Sequence, residues 1–501
     1  MRKIKDDLFQ LIKSLDRNEK GYFKKFTLLY SAFPESVNNY TRLFDAIDSM
    51  EVYDEVALKK QFTGEKFIKQ LHVTKNYLYS SILRSLRNYS SEATDNLKIS
   101  SNLQDAELLI RKGHYEKALE TIHSTRKFAF EREFWGHVTE LIEMERIIHT
   151  IYLKDDTIKS MGQLASERAS IINILKSEQE LVEISHLSRA RTFRHGQAQP
   201  AAELKKFTKL FKKKLEDSEN SARTVYAKNM LSTEKTVYYW LTAQSGLAYE
   251  ESLSGLDFLK QHSFFFRKNP FTLYNKAFNL GASLVNQRKH DELKKLLKEI
   301  AEYSKTFRLQ LNPKLNGFIL TKLTQHYIAY FINSLQIVKG LEYLKSAAKA
   351  VELNEKEINK NDINKFNFLS AVFYITAGNY KNAVKCLNQL LILNVNALSP
   401  DEKLFSKYLL LISHYELGNL ENLTAVNKLF GPGESIEPLD FLKEKLPKIK
   451  NKNDEKKLFI DFKNRLMTSE NKNVLAKYFD FVSWAESKIQ NKPFAEIARR
   501  S

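Results

Sequence analysis

Apolar residues recur at three- and four-residue intervals along this chain, the spacing that gathers them into one stripe of an α-helix. Ile99, Leu103, Ala106 and Ile110 form one such stripe; Tyr115, Ala118, Leu119, Ile122, Ala129 and Phe130 form the next, with Glu116, Lys117 and Glu120 turned to water. Between the two stripes stands Gly113-His-Tyr115-Glu-Lys-Ala118. Gly378-Asn-Tyr380-Lys-Asn-Ala383 repeats its spacing, Gly418-Asn-Leu420-Glu-Asn-Leu423 keeps it with aliphatic replacements, and Arg288-Lys-His290-Asp-Glu-Leu293 is a weaker copy. Each copy predicts a corner between antiparallel helices. A glycine ends the first helix in the left-handed region, an aromatic packs over the turn, and a small residue lets the helices approach.

Gly-x-Tyr-x-x-Ala at a hairpin corner resembles the tetratricopeptide-repeat family. Tyr374 matches an aromatic position of the family's first helix, whereas Asn367, Ser370 and Ala371 stand where its Trp or Leu is expected, and the first copy lacks the usual proline. The four corners are 175, 90 and 40 residues apart, so a 34-residue period holds only approximately. The resemblance implies an all-α fold, an α-α hairpin superhelix over residues 96–430, with a separate helical module at 1–95 and a helical cap at 431–501. It also implies that the first helix of each pair lines a groove for a protein or peptide. Counted back from the corners, the lining positions are Glu107, Arg111, Asn275, Phe278, Asn286, Lys365, Phe368, Thr376, Phe405, Tyr408 and Glu416. These do not reproduce the Lys, Asn and Arg set that grips a terminal carboxylate in chaperone-binding members. The three phenylalanines also read as interior packing.

The N-terminal module predicts helices near Leu8–Leu15, Tyr40–Met50 and Tyr77–Tyr89, broken at Pro34. Within it, residues 66–89 look like a DNA-binding helix-turn-helix, with Thr74 as N-cap and Lys75, Asn76, Tyr79 and Ser80 offered to base edges. Arg84 and Arg87 would serve phosphates. His72 stands where that motif's tight turn usually has glycine, and a plain helix pair with a threonine cap is the competing reading. A continuous basic stripe through Lys75, Arg84 and Arg87 would favour nucleic acid. At the other end, Gly431-Pro-Gly433 interrupts the chain, a lysine-rich stretch follows through Lys457, and one terminal helix is expected over Val474–Arg499.

Composition sharpens this picture. Only 15 Gly and 9 Pro in 501 residues cannot supply the turns of a sheet protein, and 43% hydrophobic with 12% aromatic residues is enough for a packed interior. The single cysteine, Cys386, excludes an internal disulfide and reads as a small core residue in a reducing compartment. No apolar run approaches the roughly 20 residues of a membrane span, and no signal peptide is visible, so the expected address is cytoplasmic. The net charge of +19 admits an anionic partner but is spread over the whole chain. Its densest parts are the amphipathic Leu204–Leu215 stretch and the Arg189, Arg191, Arg194, His195 group. Neither a phosphate-cradling glycine loop nor a G-x-S-x-G elbow is present, and no H-E-x-x-H appears. Glu140, Glu143, Glu145 and His149 share one helix, but the Glu-to-His spacing of four is wrong for a di-iron bundle, and a charged helix face explains them. No cofactor and no catalytic residue is expected. A non-enzymatic scaffold or adaptor is the favoured function, with a nucleic-acid-binding regulator as the alternative.

Overall fold

The computed structural model describes residues 4–29, 34–153, 157–195, 201–309, 311–393, 400–431, 434–449, 451–469, 475–476 and 479–499. Among the described residues every regular element is helical and no strand occurs. The chain forms two compact units, Met1–Arg168 and Ala169–Ser501.

The first unit contains α1 (Ile4–Ser14), α2 (Arg17–Leu29), α3 (Pro34–Ser49), α4 (Glu55–Gln61), a 3-10 turn (Lys66–Gln70), α5 (Leu71–Tyr89), α6 (Asp95–Arg111), α7 (Tyr115–Glu131) and α8 (Trp135–Ile151). Its N-terminal core is built from Leu8, Ile12, Phe23, Phe44, Ile47, Leu58, Leu78 and Ile82. Pro34 opens α3, since a first-turn proline gives up only an amide that has no helical partner. The helix α9 (Thr157–His195) crosses the division between the units.

The second unit continues with α10 (Ala201–Glu219), α11 (Val225–Leu241), α12 (Ser245–Lys260), α13 (Ser263–Lys268), α14 (Pro270–Asn286), α15 (His290–Thr306), α16 (Pro313–Asn333), α17 (Ile337–Leu353), α18 (Lys360–Thr376), α19 (Tyr380–Leu393), α20 (Pro400–Glu416) and α21 (Leu420–Asn427). After them come α22 (Leu439–Lys445), α23 (Lys452–Thr468), α24 (Phe481–Gln490) and α25 (Phe494–Ala498). Consecutive helices pair as hairpins, and the first helices α14, α16, α18 and α20 also pack on one another in succession. This is an all-α stack of helical hairpins.

The corners explain both the pattern and its irregularity. Gly113, Gly378 and Gly418 hold φ of 78°, 71° and 71°, as the sequence predicts. At Gly378 the next amide, Asn379 N, reaches back to Tyr374 O at 2.8 Å while Gly378 N bonds Ile375 O, the paired bonds that close a helix end. Arg288 holds the same conformation, φ 55°, with Lys289 N bonded to Leu284 O. So do Ala243 and Leu335, φ 56° and 50°, which carry no sequence signal. With these two included, the described corners that lead from a first to a second helix in the second unit fall at 243, 288, 335, 378 and 418, spacings of 45, 47, 43 and 40 residues. Helix length is the main reason: between the 335 and 378 corners α17 and α18 are 17 residues each, and between 288 and 335 α15 has 17 and α16 has 21, so two helices alone fill a 34-residue period or exceed it and leave nothing for the turns. Residues five past these corners are buried: Ala248, Leu293, Gly340, Ala383 and Leu423.

Two expected elements need correction. Helix α5 runs unbroken from Leu71, so Thr74 is an internal residue whose hydroxyl donates to Gln70 O at 3.2 Å, and no turn lies at His72. Among the described residues the expected terminal helix is interrupted: Phe479 and Asp480 are not helical, Asn491 adopts φ 52° after α24 and Pro493 precedes α25; Val474 lies outside the described residues. So do Pro432 and Gly433.

Candidate functional site

Helix α18 sorts its side chains onto opposite sides. At about 100° per residue, Ile363, Phe366, Asn367, Ser370 and Tyr374 share one face, and Lys365 and Thr376 point roughly the other way. The first face forms the floor of a cleft of about 460 Å³. Leu344, Ala348, Val351 and Glu352 of α17, with Glu355 just beyond it, make one wall; Asn382, Lys385, Cys386 and Gln389 of α19 make the other. Each wall is a helical stripe at i, i+3 or i+4. The cleft therefore opens between the second helices of consecutive hairpins, with a first helix beneath.

Its chemistry is graded. Val351, Phe366 and Leu344 are buried at the bottom. Asn367 on the floor is half-buried, and at the rim stand the exposed amides Asn382 and Gln389 with the exposed charges Glu352, Glu355 and Lys385. None of these three charges joins an ion pair among the described residues, although Lys365 on the far side of α18 is bound to Glu402. Burial pushes the Cys386 thiol up to about 11, beyond the slight opposing pull of Lys385, so the sulfur is a weak nucleophile at neutral pH. Desolvation also raises the Tyr374 phenol. A volume of this size lies within the range of about 300–1,000 Å³ typical of ligand pockets.

The positions counted back from the corners divide differently. Glu107 and Arg111 are exposed on α6 and pair with each other at 2.6 Å. Asn275 is half-buried and Asn286 exposed on α14. Thr376 is buried, its hydroxyl returned to Val372 O. Tyr408 is fully buried and donates to Asp440 at 2.8 Å; Glu416 accepts from Trp484 Nε1 at 2.7 Å and pairs with Lys488. Those three side chains are engaged in bonds within the second unit. Phe278, Phe368 and Phe405 are core. The cleft residues were one helix face away, and the spacing of α19, where Asn382, Lys385, Cys386 and Gln389 form a polar stripe, is the signal that marks them.

In the first unit, Lys75 is 3% exposed and its ammonium is bound to Glu55 at 2.8 Å and to the Tyr53 hydroxyl, so it is not offered to a nucleic acid. Asn76, Arg84 and Arg87 are exposed and Tyr79 is half-buried. The stripe through Lys75, Arg84 and Arg87 does not form. Glu145, buried at 5%, receives His123 at 2.8 Å and Arg126 at 2.5 Å, with His149 at 3.8 Å. Burial raises its carboxyl, but those partners outweigh that and hold it below the usual range. Glu143 is taken by Arg146 and Arg168. Among the described residues no three His, Cys, Asp or Glu side chains are grouped to hold a metal ion.

In the second unit, α10 buries Phe211 and Leu215 and exposes Lys205, Lys206, Lys209, Lys212 and Lys213. Arg189 is exposed; the side chains of Arg191, Arg194 and His195 lie outside the described residues. No described helix is long and apolar enough to cross a membrane.

No protein-family model matches the chain, and no curated protein does. Among solved structures it is similar to the crystal structure of a Signal Transduction ATPase with Numerous Domains protein with a tetratricopeptide repeat sensor from Pyrococcus horikoshii, at 12% identity and a TM-score of 0.36 over 89% of this chain and 68% of that one. The corners and the succession of packed helices define the helical-hairpin class.

Proposed function

We propose that this protein is a cytoplasmic, non-enzymatic scaffold or adaptor that binds a protein or peptide on its stacked helical hairpins. The observation that carries the reading is the α17–α18–α19 cleft, where the buried Leu344, Val351 and Phe366 lie beside amides and beside charges that join no ion pair among the described residues. Stacked hairpins offer extended surface without reactive groups held in register, which suits recognition better than catalysis. Glu107, Arg111 and Asn286 stay at the surface of first helices and are proposed as further contacts. Residues 1–95 are proposed as a separate module and 431–501 as the cap of the stack.

The test is affinity capture from the native host with immobilised full-length protein, compared with an Asn367→Arg/Gln389→Arg variant. A protein recovered by the wild type and depleted at least tenfold on the variant is expected. Recovery of nucleic acid with no consistent protein would overturn the reading in favour of a regulator that binds nucleic acid.

A further inference from the structure

We propose that the α17–α18–α19 cleft receives a short extended peptide that sets an apolar side chain on the Val351–Phe366 floor and a lysine or arginine beside it against Glu352 and Glu355; this rests on the peptide-binding reading above. Four features of the cleft select that occupant.

The first is length. From Ile363 to Tyr374 the floor runs about 16 Å along α18, at about 1.5 Å per residue. An extended segment at about 3.3 Å per residue covers that distance with five residues.

The second is the amides. Asn367 on the floor and Asn382 and Gln389 on the wall each carry both a donor and an acceptor. An extended backbone presents free N–H and C=O groups sideways to meet them. A docked helix has spent its own along its axis and would leave the amides facing apolar side chains, at the cost of their desolvation.

The third is the apolar floor, where Leu344, Val351, Ile363 and Phe366 leave room for one aliphatic or aromatic anchor. The fourth is charge. In a chain of net charge +19, this rim carries two carboxylates against one ammonium, and they stand on opposite walls. A cation placed next to the anchor is drawn to the α17 wall and turned away from Lys385, which sets the side of the cleft that it faces.

A random dodecapeptide phage library panned on the immobilised full-length protein tests this. The expected enrichment is an apolar or aromatic residue with Arg or Lys within two positions. The double variant Glu352→Lys/Glu355→Lys changes two exposed side chains and leaves the core alone, and should enrich acidic neighbours instead. Cys386 is the chain's sole cysteine and lines the same cleft, so a synthetic peptide from the enriched set should slow its alkylation by iodoacetamide several-fold. Peptides that bind with a consensus unchanged by the double variant, and with Cys386 alkylated at the free rate, would overturn this site while leaving peptide binding intact. Failure to enrich any consensus on the wild type would overturn both.

Discussion

Gly340 stands five residues past the Leu335 corner, where the neighbouring hairpin has Ala383. A Cβ there would lie 2.3 Å from Phe373 Cζ and 3.0 Å from Phe331 Cβ, and Phe373 is a buried ring with nowhere to move. Gly340→Ala should therefore lower the thermal midpoint: the helix-propensity gain of about 1 kcal/mol is outweighed by overpacking of about 1–3 kcal/mol. Circular dichroism melts measure this directly. Lys276 is a buried residue of the opposite kind. It is 3% exposed, with its ammonium 2.8 Å from Ser232 Oγ and 3.2 Å from Thr233 Oγ1, and burial draws its pKa down to about 8 from 10.5 despite Glu251 and Glu234 nearby. Between those two values the unfolded chain holds the proton more tightly than the folded one, so stability rises with pH across that window, and the penalty is fully present below it. Lys276→Met should stabilise the protein at pH 7 by on the order of 3 kcal/mol, with the advantage shrinking by pH 10. Urea titrations at the two pH values decide it; an equal gain at both would sink the argument.

The corners show how much of an element boundary is legible. A left-handed corner can be read when glycine occupies it, as at Gly113, Gly378 and Gly418, because glycine alone adopts that region without strain. Ala243 and Leu335 occupy the same conformation at a cost of about 1–2 kcal/mol each. The backbone bonds that close the helix end, such as Gln244 N to Tyr239 O at 2.8 Å, and the packing of the next helix hold them there. Ala243→Gly is expected to raise stability by about 1 kcal/mol, and Gly378→Ala to lower it by a similar amount. Chemical denaturation of the two variants checks both signs. Helix α5 taught the converse. Thr74 has the residue type of a cap, but Leu71 and Leu78 are both buried in one continuous core, and burying them as a single stripe outweighs the threonine's preference for a helix start.

In the second unit the last hairpins and the chain's end share one core. Phe405, Leu409 and Ile412 of α20 pack in the same cluster as Phe459, Phe462 and Trp484. Glu416, bound to Trp484 and Lys488, ties that core across its polar edge. Truncation after Phe430 would uncover the α20 face, so it should strip hydrogen-exchange protection from residues 366–426 as well as removing the tail. Protection retained there at wild-type levels would make the end an appendage.

Periodicity alone determined that the chain is helical, and glycine and proline scarcity determined that its connections are short, because both follow from backbone geometry that each residue carries with it. The first-helix and second-helix order around Gly113, Gly378 and Gly418 was equally local. Which face of α18 would be open, that Tyr408 and Glu416 would be spent inside the fold, and that Lys75 would be bound to Glu55 were decided only by tertiary packing. A helical stripe states which residues lie together, but the neighbour that covers it comes from elsewhere in the chain: α17 and α19 wall one face of α18, and α16 and α20 pack against the helix as well.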